Sequence, residues 1–288
     1  MENSKTMNKD RKLETAIEDL DIKGGRDFSD MFYEFLEMAL GMLCNNPSEH
    51  QKRLLTATMS DDRKRMAFAE ALNAYGEAAE NYHDPLGEMF MIRISHGNNG
   101  QFFTPEHICD LMAHITEPIG ETVNDPTCGS GRLLLSALKT SRDNGKEPIV
   151  YGNDLSYTCA QMCLMNLLFN SARGEVSCGD ALLMNLDTFR FFRIDRVLMP
   201  DGKWMSTYWQ YTLSDVDEVD RERREWKMLM LNNGMLVETL PVPKNEESGP
   251  KGTETVPKTD DFVPKDIETR QDRLTAKPKA VQLQLELF

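Results

Sequence analysis

The sequence predicts an α/β protein: a parallel sheet flanked by helices, behind a helical N-terminal module and ahead of a disordered tail. Three observations carry this prediction. From about residue 100, strand-like and helical segments alternate, the pattern that builds parallel sheets with right-handed crossovers. Within that region NDPTCGSGRLLL, 124–135, reads as a strand that stops at a carboxylate, turns on two glycines and re-enters a helix. After residue 241 the composition shifts, and Pro-Lys recurs at 243, 250, 257 and 264.

The elements follow in order. Residues 1–95 form the helical module. FSDMFYEFLEMALGMLC places Phe28, Met31, Phe32, Phe35, Leu36, Ala39 and Leu43 on one apolar face, the spacing of an amphipathic helix. Asn45, Asn46 and Pro47 stop it. A second tract, DDRKRMAFAEALNAYGEAAENY, starts behind an aspartate cap at Asp61 or Asp62. Residues 96–240 form the α/β domain. Val123–Pro126 is strand-like, Arg132–Thr140 a helix, 149–155 a strand, 159–170 a helix, 175–180 a third strand and IDRVLMP, 194–200, a fourth. WMSTYWQYTL and GMLVETL offer two more strands around a charged helix at 216–231. FRFFR, 189–193, reads as an amphipathic segment burying its phenylalanines, with nucleic-acid stacking as the other reading. Residues 241–280 form a linker of four seven-residue Pro-Lys units, which proline bars from a continuous helix. Residues 281–288 are an apolar terminal peptide.

Composition narrows the function. The chain has 288 residues, 40% apolar and 28% charged, enough for a packed core. No apolar run approaches the roughly 20 residues of a membrane helix, and the polar start MENSKTMNKDRKLE lacks a signal-peptide core. Six cysteines without paired CxxC spacing read as reduced thiols of a cytoplasmic protein, with no metal site. The net charge of −14 argues against coating DNA through bulk electrostatics and leaves a small basic surface or a partner subunit as the route.

The glycine turn is where chemistry is expected. Ligands of open α/β sheets bind beyond the carboxyl ends of the strands, where helix N-termini point. Asp125 ends the first strand there, and Gly129 and Gly131 let the backbone approach a ligand. Leu134 stands where a dinucleotide fingerprint needs its third glycine, and Gly131-Arg132-Leu133 is no phosphate loop. Asp154 ends the second strand, placed to accept two ribose hydroxyls. Asp180 ends the third, placed for an adenine amino group. Three carboxylates on successive strand ends suit a ligand with a ribose, an adenine and a cationic part.

Taken in order, GQFFTPEHICDLM (100–112), NDPTCGSGRLLL (124–135), YGNDLS (151–156) and CGDAL (178–182) resemble the adenine-specific (N6) DNA methyltransferases, above all the modification subunits of type I restriction systems. DPLGEMFM (84–91) and QMCLMNLLF (161–169) look like that family too. The resemblance implies a Rossmann-like S-adenosylmethionine-dependent fold with a shortened sheet, and S-adenosyl-L-methionine as cofactor. It implies that Phe103, Thr104 and Pro105 lie against the methionine end, that Asp125, Pro126, Gly129 and Gly131 form the cofactor turn, that Asp154 takes the ribose and Asp180 the adenine amine, and that Leu182 packs on the adenine ring. Thr104 and Pro105 also read as the opening of a helix.

The family's catalytic loop, Asn-Pro-Pro-Tyr or Asn-Pro-Pro-Phe after the fourth strand, is absent from this sequence. In its place stands IDRVLMPDGKW, whose candidates are Pro200, Asp201 and Trp204. The expected function is therefore a DNA adenine-N6 methyltransferase of divergent or partner-dependent kind. The alternative is an inactive relative serving as a DNA- or partner-binding regulatory or assembly subunit. The terminal QLELF resembles the peptides that dock replication proteins on the sliding clamp, with Gln284, Leu285, Leu287 and Phe288 as anchors.

Overall fold

The computed structural model describes residues 2–95, 102–116, 122–183 and 185–240. The Pro-Lys linker and the QLELF peptide lie outside the described residues. Residues up to Leu240 form one compact unit.

Four helices open the chain: α1 (Glu2–Glu18), α2 (Phe28–Leu43), α3 (Glu49–Met59) and α4 (Asp62–Ala78). The first lies in a stretch the sequence reading passed over as polar. Its Leu13, Ala16 and Ile17 are nevertheless buried against the other helices. Local chemistry fixes the starts. Ser48 and Gln51 form a reciprocal capping box on α3, and the Asp61 carboxylate accepts the Arg63 and Lys64 amides on α4. A short helix α5 (Pro85–Met89), entered through the proline-favoured first position, continues into a π-helical stretch, Phe90–Ser95.

Beyond it come α6 (Glu106–Thr116), β1 (Thr122–Asp125), α7 (Arg132–Asp143), β2 (Ile149–Asp154), α8 (Tyr157–Phe169), β3 (Arg173–Cys178), β4 (Arg190–Leu198), β5 (Trp204–Tyr211), α9 (Val216–Asn232) and β6 (Leu236–Glu238). The sheet order is β1-β2-β3-β4-β5, with β6 beside the far end of β4. β1, β2 and β3 are parallel, as the alternation predicts. The fourth strand corrects the prediction. β4 runs antiparallel to β3, and β5 and β6 run antiparallel to β4. The reason is the connection: Gly179–Phe189 holds a single 3-10 turn, Leu186–Thr188, whereas a parallel return needs a crossover of a dozen or more residues.

Helices cover the two faces unequally. On one face, α7, α8 and α2 bury Val150, Val176 and Ile194. α8 is apolar all round and fully interior, which explains why Cys159 through Leu168 are all buried. On the other face α9 packs on β5 and β6, with Trp226 edge-on to Trp209 at 6.1 Å. Over β1 and β2 that second face is bare: Thr122 and Asn124 are exposed, Ile149 and Tyr151 half-exposed. The two sheet edges differ as well. Beside β5, Cys44 bridges to Tyr208 and Asn46 bonds the Gln210 backbone, so the end of α2 closes that edge. β1 has no strand on its outer side among the described residues.

FRFFR is the start of β4 and packs inward. Phe189 and Phe192 are buried, and Arg193 is buried against Glu175 and Tyr211.

Candidate functional site

Asp125, Asp154 and Asp180 stand at or just beyond the carboxyl ends of β1, β2 and β3, as their register places them. The turn after β1 is tight. Gly129 and Gly131 adopt φ of +55° and +89°, a region open to glycine and costly for other residues. A side chain on Gly131 would also meet the Cys163 Sγ of α8 at 2.8 Å, so the turn rests directly on that helix.

Each carboxylate has a distinct environment. Asp154 holds the turn: its Oδ2 accepts the Gly129 amide at 2.9 Å and its Oδ1 the Ser156 amide at 2.8 Å. Asp125 accepts the Thr127 amide through Oδ1 at 3.1 Å. Burial and then the nearby Asp154 charge push its carboxyl above the usual range, against the Thr127 hydrogen bond. Asp180 accepts the Leu182 and Leu183 amides through Oδ1 at 2.9 and 3.1 Å, closing a turn. The Oδ2 atoms of Asp125 and Asp180 have no partner among the described residues.

Hydrogen bonding with Cys163 and then burial hold the Cys128 thiol well above its ordinary value, so the nucleophilic thiolate is suppressed.

Phe103 closes the turn from above. Its ring edge lies about where a Gly129 side chain would reach, 3.0 Å away, and it stacks on Phe90 at 6.0 Å. Thr104 presents its carbonyl to Arg132 at 3.4 Å, and the Pro105 carbonyl accepts the first amides of α6. Pro126 accepts the Asn153 side chain through its carbonyl, fastening β1 to β2. Leu182 is an apolar side chain that is 95% exposed. Leu155, just past Asp154, is 72% exposed in the same way and escaped the sequence reading. Together these residues make a carboxylate-lined rim with exposed leucines at the ends of three parallel strands.

Pro200, Asp201 and Trp204 lie elsewhere. Because β4 is antiparallel, its end Leu198 points away from the ends of β1, β2 and β3. Residues 199–203 form the hairpin turn to β5: the Met199 amide bonds the Lys203 carbonyl, Asp201 accepts the Lys203 amide at 3.1 Å, and Gly202 takes φ +83°. Trp204 opens β5 under the Arg196 guanidinium at 4.7 Å. A proline–aspartate–glycine sequence is itself a turn signal, and it accounts for these residues without catalysis.

One residue at the site was placed outside it by sequence. Asp84, before α5, is buried behind the glycine turn. It accepts from Gly87 N (2.9 Å), Asn166 Nδ2 (2.7 Å), Ser130 Oγ (2.5 Å) and Arg132 Nε (3.1 Å). The signal was present: an aspartate–proline pair at a helix start, three residues before a glycine. A side chain on Gly87 would strike Asp84 Oδ2 at 2.1 Å.

The model for the N-6 DNA methylase family matches residues 86–227. The methylase subunit of type I restriction enzyme MpnII from Mycoplasma pneumoniae is 29% identical over 191 residues, covering 61% of this chain and 32% of that protein. The MjaVIII methylase subunit from Methanocaldococcus jannaschii is 26% identical over 168 residues, 54% of this chain and 29% of its own. The chain thus spans about a third of the length of the curated relatives it matches. Among solved structures, a putative class I S-adenosylmethionine-dependent methyltransferase from Listeria monocytogenes superposes with a TM-score of 0.42 at 17% identity, covering 64% of this chain and 55% of that one. A type I restriction-modification methyltransferase subunit from Streptococcus thermophilus gives 0.38 at 15%, covering 64% and 60%.

Proposed function

From the match of residues 86–227 to the model of the N-6 DNA methylase family, we propose that the chain binds S-adenosyl-L-methionine and serves adenine-N6 methylation of DNA, with the target base held partly by another polypeptide segment. The observation that carries the reading is the convergence of Phe103, the Gly129–Gly131 turn and the three strand-end aspartates on one rim. The residues fit the cofactor. Asp125 and Asp180 each keep one carboxylate oxygen without a partner among the described residues, and exposed Leu155 and Leu182 suit an apolar ring. Asp154, which already fixes Gly129, has lone pairs left for a ribose hydroxyl.

When bound, the cofactor supplies an electrophilic methyl group. The chain's own contribution is to hold it: the turn amides and Asp125 orient the amino-acid part, Phe103 shields it from water, and Asp180 receives the adenine amine. The second requirement is acceptors for the hydrogens of the target adenine's amine as it attacks, with a ring to stack on the flipped base. Among the described residues no strand stands on the outer side of β1, and the Asn-Pro-Pro loop that would supply these groups is missing from the sequence. In a doubly wound sheet the ligand crevice opens where strands leave the first strand in both directions. Among the described residues, strands leave β1 in one direction only. The open edge of β1 is where the base-holding segment belongs.

Calorimetric titration of the chain with S-adenosylmethionine tests the first half, with Asp125→Ala and Asp154→Ala as controls. Micromolar binding, weakened at least tenfold in both variants, is the expected outcome. A folded protein that takes no heat from the cofactor would end the proposal.

A further inference from the structure

The geometry points to Asp84 as a positioning residue that sets both walls of the cofactor site at once. The inference rests on the cofactor reading above for its ligand, though not for its mechanics.

The Asp84 carboxylate is 1% exposed and receives a donor at each of its four lone-pair positions. Those donors come from three separate pieces of chain: the start of α5, the stretch from Ser130 of the glycine turn to the first residue of α7, and the middle of α8. Asn166 extends the link, donating to the Ser130 carbonyl at 2.9 Å and accepting the Tyr75 hydroxyl of α4 at 2.6 Å. Arg132 extends it the other way, to the Thr104 carbonyl at 3.4 Å, and its Nη2 lies 3.8 Å from Glu88. One buried charge therefore ties the turn below the ligand to the Phe103-Thr104-Pro105 segment above it. A buried carboxylate with matched donors is stiff, because any donor that moves away leaves a buried polar group unpaired.

The arrangement has a directional consequence. Asp84 is linked to the two walls facing the methionine part of the cofactor. It is not bonded to Asp180 or Leu182, which face the adenosine part. Loss of the carboxylate should loosen the hold on one half of the ligand and spare the other.

Asp84→Asn tests this. The amide keeps one oxygen but sets an N–H donor against Arg132 Nε, breaking the tie to Thr104 with little change in volume. Arg132→Gln breaks the same tie from its half-buried end and serves if Asp84→Asn does not fold. Calorimetry on the full chain should show affinity for S-adenosylmethionine falling at least tenfold in either variant. Affinity for adenosine should stay within about threefold. An equal fall for both ligands would reduce Asp84 to general stability, and unchanged affinities would remove it from the site; either result overturns the inference. A second measurement needs no ligand. Amide hydrogen exchange of the free variants should speed up at Phe103, Thr104 and 127–131 and stay unchanged along β2. Unchanged exchange in both segments would also overturn the inference. Failure of the wild-type chain to bind S-adenosylmethionine would instead count against the cofactor reading, with exchange still deciding the role of Asp84.

Discussion

At the scale of single residues, the site is held by ions that never reach the ligand. His83, 8% exposed, presents Nε2 to Asp10 of α1 at 3.2 Å and Nδ1 to Glu106 of α6 at 3.5 Å. Burial alone would lower its pKa, but the hydrogen bonds and charges of Asp10 and Glu106 outweigh it and push it up to about 10. With both ring nitrogens carrying protons toward carboxylates, the imidazolium has no lone pair for a metal, although Asp10 and Glu88 stand close enough to share one. The sign of the linkage follows. The folded pKa lies above the unfolded value of about 6.5, so the contribution is complete below pH 6.5. It declines as the pH rises and is gone above about 10. Urea unfolding of wild type and His83→Gln at pH 6, 8 and 9.5 checks this. The stability gap should shrink with each step, and a gap independent of pH would mean that His83 is neutral in the folded protein.

At the scale of elements, α9 is anchored to the sheet by a buried ion pair. Arg223 reaches Asp195 of β4 through Nε at 2.6 Å and Nη2 at 2.5 Å, with side chains 6% and 0% exposed. Burial pushes the Asp195 carboxyl up, partly offset by Arg223. Removing one partner strands a buried charge, whereas replacing both with apolar residues is often tolerated. Asp195→Ala should therefore cost about 3–5 kcal/mol in chemical denaturation, and Asp195→Leu with Arg223→Met much less. Equal losses in the two proteins would show that packing of α9, not charge, is decisive. These elements also show what the sequence makes legible. α9 and the two strands around it were readable, because WMSTYWQY is rich in strand-favouring aromatic residues and the helix carries Val219, Trp226 and Met230 on its buried side. The direction of β4 was not. Periodicity defines a strand but not its partner, and the short Gly179–Phe189 connection, together with Pro200-Asp201-Gly202, was the overlooked sign of an antiparallel hairpin. At the site, strand ends and glycines were visible because they are local. Asp84 was hidden because its partners Ser130 and Asn166 lie 46 and 82 residues away.

At the scale of the molecule, charge and topology lead to the same requirement. After Leu240 the sequence holds eight basic and nine acidic residues, so the acidic excess of −14 sits almost wholly on the folded unit. Several of its arginines are spent internally. Arg142 and Arg196 are engaged by Glu147, Glu238 and the Ser171 carbonyl, and Arg193 by Glu175 and Tyr211. Non-specific affinity for DNA comes from counterions released when free lysines and arginines meet phosphates, and typically reaches 10⁻⁴–10⁻⁶ M at physiological salt. A body of this charge falls below that range. The sheet adds a geometric deficit, since one side of the crevice at Asp125 ends at the bare edge of β1. A basic partner that covers this edge would remedy both. The expected result is that the chain with S-adenosylmethionine, titrated against fluorescent duplex DNA at about 0.15 M salt, shows a dissociation constant weaker than about 10⁻⁴ M. Lowering the salt should bring only a shallow gain, because few phosphates are contacted. Micromolar binding by the chain alone, with a steep salt slope, would locate a basic surface on this unit and remove the need for a partner to bring DNA to the site.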